Sequence, residues 1–467
     1  MPIVLRQSQS QSERRAGGQE TRAREHQLNL LDSSPQEEYG VEGEWLWRRV
    51  LTGSKLGPKL AVPIRKPVPK KQDALRAAWD RELLQGWDPE PLDPVGSPRS
   101  LRVVDLFAGC GAMSLGVKWA AKALGYEFEA LLAADSNTDT FEVYEQNLKP
   151  RDTFKEDLSK VVAFEYGDLE AGEFLRTPEL RVPAFQALVD NVDLLIGGPP
   201  CQGHSNLNNH SRRDDPKNAL YLLMPALAVS LRPKAIIIEN VRAVIHDKLQ
   251  VVQRTKRLLE KDYDIDEAVV SASEMGIPQS RRRHILIAVR KQGEINGMKL
   301  RLNDVVQSLR TRPRTVKWAI SDLCTKSFRS SDAIFDAPST LSAENQKRVD
   351  WLFTNKQHDL PNFLRPSCHK DKQHSYTSMY GRMKWGEPAQ TITSGFGSPG
   401  QGRFIHPKRR RLITPHEAAR LQFFPDFFKF TGKKGNLKRT RLTEMIGNAV
   451  PPKLAYVVGL AVLGNFP

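Results

Sequence analysis

The sequence predicts an α/β protein, a doubly wound, mostly parallel Rossmann-like sheet with a smaller irregular lobe and a disordered N-terminal arm. Three observations point there. From Leu101 onward short apolar runs alternate with longer segments of helical period, which implies parallel strands joined by helical crossovers. After Arg290 that rhythm is lost. Residues 1–40 are rich in Gln, Ser, Arg and Glu and nearly free of aromatics, the composition of a disordered segment.

The elements follow in order. Residues 41–98 carry Trp45, Trp47, Trp79 and Trp87 beside a proline-studded basic stretch, 63–71, and read as an extended arm with one short helix near 73–84. Residues 101–107, 128–134, 192–197, 235–239 and 285–289 read as strands. Helices are expected over 114–124, 138–148, 217–231 and most of 243–262. Thr414 opens a later helix with Pro415 in its first turn and Glu417 three residues on. A last helix follows Pro451-Pro452.

Composition excludes several classes. Seventy Lys and Arg against 54 Asp and Glu give a net charge of +16, which favours a polyanionic partner such as nucleic acid. The four cysteines, Cys110, Cys201, Cys324 and Cys368, are widely spaced and form no CxxC pair, so neither a disulfide framework nor a metal site is expected. A reducing compartment suits them. No apolar run approaches the roughly 18 residues of a membrane span; residues 454–464 come nearest. Residues 1–24 are polar and have no apolar signal core.

Four pieces carry candidate chemistry. Asp105-Leu-Phe-Ala-Gly-Cys-Gly111 ends the first strand, where Gly109 and Gly111 permit a tight turn and close ligand approach. No GxGxxG pattern is present, which favours a nucleoside cofactor without a pyrophosphate. Asp135 ends the second strand, a position for binding ribose hydroxyls or for capping the next helix. Asp157, with Asp168 as competitor, suits an adenine amino group. Gly197-Gly-Pro-Pro-Cys-Gln-Gly203 follows the third strand and offers Cys201 as a nucleophile at a stiff strand exit, or as a small buried residue. Glu239-Asn240-Val241 ends the fourth strand, where a partly buried carboxylate suits hydrogen-bond donation or an ion pair with Gln279-Ser-Arg-Arg-Arg283. All four lie at carboxyl ends of strands, the edge on which open α/β sheets bind ligands.

Taken in order, these pieces resemble the cytosine-5 DNA methyltransferase family. Arg420-Leu-Gln-Phe-Phe-Pro-Asp426 and Gly447-Asn-Ala-Val450 extend the resemblance, which covers 102–290 and 403–455. It implies S-adenosylmethionine as cofactor, no metal, duplex DNA as partner and C5 of a flipped-out cytosine as target. Cys201, Glu239, Arg281 and Arg283 would form the catalytic group. Phe107, Gly109, Gly111, Asp135, Ser136, Asp157, Pro199, Asn448 and Val450 would hold the cofactor. Ser136 stands where many relatives carry a large apolar residue, and His204 replaces a commonly apolar one.

Residues 99–290, completed by 437–467, would form the catalytic domain, with 291–436 as the target-recognition domain and 1–98 as a basic extension. DNA contacts are expected from Gln202, Ser205, Arg382, Lys384, Thr391, Thr393 and Arg403, and phosphate contacts from the run 408–411. The implied setting is a restriction–modification or orphan methylation role. The enzyme would be a monomer away from membranes, in bacterial cytoplasm near the nucleoid, or in a nucleus if eukaryotic. An RNA cytosine-5 methyltransferase and a catalytically silent DNA-binding protein are the alternatives.

Overall fold

The computed structural model describes residues 34–53, 55–68, 70–93, 96–167, 173–200, 220–291, 298–325, 334–367, 370, 378–431 and 437–466. The expected arm corrects itself at once. Residues 36–91 hold an antiparallel sheet of β1 (Gln36–Glu42), β2 (Trp45–Thr52), β3 (Lys55–Leu56), β4 (Leu60–Pro63) and β5 (Glu90–Pro91), with the expected helix present as α1 (Gln72–Leu84). Strand β2 alternates strictly, with Leu46, Arg48, Val50 and Thr52 inward. An arginine at an inward position spoils the apolar alternation by which a strand is read, and this hid β2 in the sequence.

The central sheet has seven strands, in the spatial order β13 (Tyr263–Ser271), β14 (Arg282–Arg290), β12 (Ala235–Val241), β11 (Leu194–Gly197), β6 (Arg99–Leu106), β7 (Tyr126–Ala134) and β8 (Asp152–Phe154). Its parallel part comprises β6 (Arg99–Leu106), β7 (Tyr126–Ala134), β8 (Asp152–Phe154), β11 (Leu194–Gly197) and β12 (Ala235–Val241). Helix α2 (Ala112–Ala123) overlaps the expected 114–124 but starts two residues earlier, α3 (Thr138–Leu148) matches its expected bounds, and α5 (Leu223–Leu231) falls within its expected segment. The short hairpin of β9 (Val162–Tyr166) and β10 (Phe174–Leu180) leads to α4 (Pro183–Gln186).

Two elements differ from expectation. The helix expected over 243–262 is a 3-10 turn, Arg242–His246, then α6 (Val251–Leu259), separated by Gln250 in the left-handed region at φ 51°. Strand β13 (Tyr263–Ser271) was not expected. It carries Asp264, Asp266 and Glu267 because it is an edge strand with a solvated face. It pairs antiparallel with β14 (Arg282–Arg290), itself antiparallel to β12, so this end of the sheet is mixed.

Beyond β14 the described backbone is irregular. It holds α7 (Leu302–Ser308), α8 (Val316–Ile320), α9 (Ala343–Thr354) and α10 (Pro415–Leu421), with isolated bridges such as Arg382↔Ile405 in place of a sheet. Thr414 caps α10 in a full capping box with Glu417, as its sequence implies.

The chain then returns to the sheet through α11 (Arg439–Asn448) and α12 (Pro452–Leu463). Every residue of α12 is buried. A Cβ on Gly116 of α2 would lie 2.1 Å from the Pro452 carbonyl oxygen, so this glycine is what lets the two helices touch. Arg439–Leu463 is apolar and long enough to cross a membrane by composition, yet it is mostly inside the molecule. At about 25 cal/mol per Å² of apolar surface, its burial makes it a core element.

Candidate active site

The first site element is the turn after β6. Phe107 and Gly109 both adopt the left-handed region, at φ 55° and 53°. For a phenylalanine this costs on the order of 1–3 kcal/mol, a strain typical of functional turns. A Cβ on Gly109 would meet no heavy atom within 4 Å among the described residues, so open space faces this backbone. Gly111 differs: a Cβ there would lie 2.3 Å from Leu148 Cδ1 and 2.8 Å from Tyr144 Cδ2. Ligand approach is expected at both glycines; Gly111 also admits α3 against the turn.

Asp135 sits where β7 ends. Its two carboxylate oxygens accept from the backbone N–H groups of Gly109 and Asn137, each at 2.8 Å. Each oxygen keeps a further lone pair, the requirement for holding a vicinal diol. Burial raises the Asp135 pKa, against the lowering effect of these amides. The capping role belongs to Asn137, whose side chain accepts from Asp139 and Thr140. Beneath the turn, buried Asp105 accepts from Ser114 Oγ at 2.6 Å, which also meets the Tyr144 hydroxyl at 2.9 Å. Burial pushes the Asp105 carboxyl up to about 7. Ser136 is exposed beside Asp135. Asp157 is exposed too, and caps the turn Leu158–Lys160 by accepting from Ser159 N–H at 2.9 Å.

The ends of β11 and β12 adjoin these groups. Asn240 donates to the Pro199 carbonyl at 3.2 Å and so holds the Gly-Pro-Pro turn onto β12. A Cβ on Gly198 would stand 3.4 Å from Glu239 Oε2. The Glu239 carboxylate is paired with Arg283 Nε at 2.7 Å, and both side chains are nearly buried. Glu239, Val450, Met113 and Leu454 line one small cavity, so the late Gly447–Val450 segment does return to the strand ends. Asn448 is exposed at the end of α11.

Arg281 was expected with the catalytic groups. Its Nη1 donates instead to the carbonyls of Ile392 at 2.9 Å and Gly447 at 3.2 Å. Gln279 and Gln422, for which no role was foreseen, complete this joint. Gln279 Nε2 donates to Gln422 Oε1 at 2.6 Å, and Gln422 Nε2 to the Ile446 carbonyl at 2.6 Å. A Cβ on Gly447 would lie 2.1 Å from the Ser394 amide nitrogen. The segment bearing Thr391 and Thr393 is thus seated directly on the catalytic lobe, with Thr391 Oγ1 on the Ser280 carbonyl at 3.4 Å.

The expected DNA-contacting arginines are turned inward. Arg382 donates to the Pro407 carbonyl at 3.0 and 2.7 Å and lies 4.0 Å over the Phe353 ring. Arg403 holds the carbonyls of His358 and Arg382 and the Asp359 carboxylate. In the run 408–411, Arg409 binds the Cys324 carbonyl, Arg410 pairs with Asp350, and Arg411 forks onto buried Glu417 at 2.8 and 2.7 Å. Burial raises the Glu417 pKa, but Arg411, His406 and the Thr414 N–H together outweigh it and the net shift is downward. Lys384 is exposed, paired only at the surface with Glu387 at 3.0 Å. Cys201, Gln202, His204, Ser205 and Asp168 lie outside the described residues.

A glycine turn, a strand-end acid and a carboxylate–guanidinium pair along one edge of a doubly wound sheet define an α/β enzyme with its site at the strand ends. Comparison with known proteins makes the class specific. Residues 101–463 match the model of the C-5 cytosine-specific DNA methylase family, and the chain belongs to that family. It is 39% identical over 436 residues to the type II methyltransferase M1.BsuMI of Bacillus subtilis (strain 168), covering 93% of this chain and 97% of that one. That match reaches well upstream of residue 101. The type II methyltransferase M.DdeI of Desulfomicrobium norvegicum is 28% identical, over 76% of this chain and 86% of its own. The crystal structure of the S. pombe Dnmt2 methyltransferase superposes with a TM-score of 0.48 at 19% identity, covering 78% of this chain and 98% of that one. The protein is a DNA (cytosine-5)-methyltransferase.

Proposed function

We propose that this enzyme methylates C5 of cytosine within a specific duplex DNA sequence, using S-adenosylmethionine and a transient covalent bond to Cys201. The observation that carries the reading is the Glu239–Arg283 pair beside the Gly-Pro-Pro turn. Cys201 follows that turn by one residue in sequence.

Cytosine C5 is a poor nucleophile. Attack of the Cys201 thiolate on C6 removes the ring's aromaticity and makes C5 enamine-like. Glu239 holds N3 by hydrogen bonding, and Arg283 fixes the Glu239 carboxyl from its other side. Bound cofactor would supply an electrophilic methyl group to C5, the electrons of its broken C–S bond staying on sulfur as a neutral thioether. Solvent water then takes the C5 proton, the C5=C6 bond re-forms and the C6–S bond breaks to release the Cys201 thiolate. The target base must leave the duplex to reach these groups.

Gly109, with open space before it, and Asp135, with its carboxylate fixed by two amides, fit the methionine portion and the ribose. Phe107, Ser136, Asp157, Pro199, Asn448 and Val450 complete that surface. Arg281 acts as a positioning residue. Lys384, Thr391 and Thr393, with Gln202 and Ser205, are proposed to meet DNA. The type II relatives support a restriction–modification role. An orphan role is the alternative reading, and the enzyme is proposed to act as a monomer away from membranes.

Methyl transfer from labelled cofactor to random-sequence duplex DNA and to tRNA tests this. Incorporation into duplex DNA that Cys201→Ala abolishes, with cofactor binding kept, is expected. Incorporation into tRNA alone, or full activity of the variant, overturns it.

A further inference from the structure

The N-terminal sheet is joined to the C-terminal helix through a buried set of charges. Glu37 of β1 accepts from the Tyr456 hydroxyl at 2.7 Å and the Tyr39 hydroxyl at 2.7 Å, and pairs with Arg76 of α1 at 3.0 Å and Arg48 of β2 at 3.6 Å. Burial pushes the Glu37 carboxyl up, but Arg76 and Arg48 prevail and hold it near 2. The Arg48 guanidinium lies between two rings, 4.9 Å from Trp79 and 4.7 Å from Tyr456. Deepest of all, Lys453 of α12 is paired with Asp80 of α1, the two side chains 6% and 2% exposed.

Lys453 is a junction of three parts of the molecule. Besides Asp80 it faces the Phe423 ring at 4.9 Å, in the segment that follows α10. A Cβ on Gly276, three residues before Gln279, would stand 3.4 Å from its Nζ. It is also only three residues beyond Val450, which lines the same cavity as Glu239. The Pro452 carbonyl, one residue earlier, is the group against which Gly116 is packed. Whatever fixes Lys453 therefore fixes the first turn of α12, and with it the exit of the Gly447–Val450 segment.

An isolated lysine in such a place would be expelled or neutralised. A buried pair gives little net stability over an apolar pair of the same size, so its retention calls for another explanation. Pairing in a single geometry supplies one: it fixes register where apolar contact alone permits sliding.

We propose that the N-terminal module is a built-in clamp on the cofactor site, and that Asp80 and Lys453 are positioning residues setting the Gly447–Val450 segment for S-adenosylmethionine. This rests on the reading that Asn448 and Val450 face the cofactor. The module, with no foreseen role in the sequence, thereby becomes part of the catalytic machinery without touching the reacting atoms.

The test uses the full chain carrying Asp80→Leu and Lys453→Met together, which removes both members of the pair so that neither is left buried without the other. Melting temperature, and kcat and KM for S-adenosylmethionine and for duplex DNA, are measured. Positioning predicts that the cofactor KM rises about tenfold while kcat and the DNA KM change little. Lys453→Arg, which keeps the pair, should restore the cofactor KM. An unchanged cofactor KM in the double variant, whatever its melting temperature, overturns the proposal. Asn448→Ala separates the two layers. If it too leaves cofactor binding unchanged, the reading of that segment fails; if it weakens binding while the double variant does not, only the clamp fails.

Discussion

The sheet edge and the irregular lobe use charged residues in opposite ways. At the ends of β7 and β12, Asp135 and Glu239 are aimed along the edge where ligands bind, their carboxylates held by amides or by Arg283. In the lobe, Arg382, Arg403, Arg409 and Arg411 point inward to carbonyls and carboxylates. The difference comes from the backbone. A strand ladder satisfies its own carbonyls, so a side chain just past its end is free for function. An irregular segment leaves buried carbonyls without partners, and guanidinium groups are suited to satisfy them. Where the described residues of a lobe form no sheet, an arginine is therefore weak evidence of a DNA contact.

This contrast can be broken experimentally. The largest effect should come from Arg411→Ala, which strips the fork from Glu417, a side chain with no exposure. Glu417 keeps the Thr414 N–H and the His406 ring, but losing its guanidinium partner in a buried site should still cost on the order of 3 kcal/mol in denaturant unfolding. A stable variant with weakened DNA affinity would show instead that Arg411 serves phosphate.

A paired comparison sharpens it further. Arg382→Gln should lower stability by about 1–3 kcal/mol through its lost hydrogen bonds, with the salt dependence of DNA binding unchanged. Lys384→Ala should alter stability by less than about 0.5 kcal/mol. Its loss should instead reduce the slope of log affinity against log salt by about one. The reverse pattern would return Arg382 to the DNA surface.

The parallel part of the sheet was legible in the sequence because apolar runs such as Ala235-Ile-Ile-Ile238 are buried on both faces. The strand-end positions of the candidate residues Asp135 and Glu239 were legible because they stand at fixed offsets from those runs. Three things were not. Strand β2 hid its period behind the inward Arg48, and β13 hid behind its acids. The roles of Gly111 and Arg281 depend on partners far away in sequence, Leu148 and Ile392, which no local pattern encodes. Gln422 lay inside a noted motif, but its partner Gln279 is 143 residues away.

In the proposed reaction a thiol and a carboxyl meet on this sheet edge to activate cytosine. Duplex DNA carrying 5-fluorocytosine would trap that meeting, because fluorine at C5 blocks the proton loss that frees the enzyme. With S-adenosylmethionine present, a stable protein–DNA adduct should form, and mass spectrometry should map it to Cys201. Methylation of ordinary duplex DNA with no adduct on the fluorinated duplex, or an adduct mapped to another residue, would contradict it.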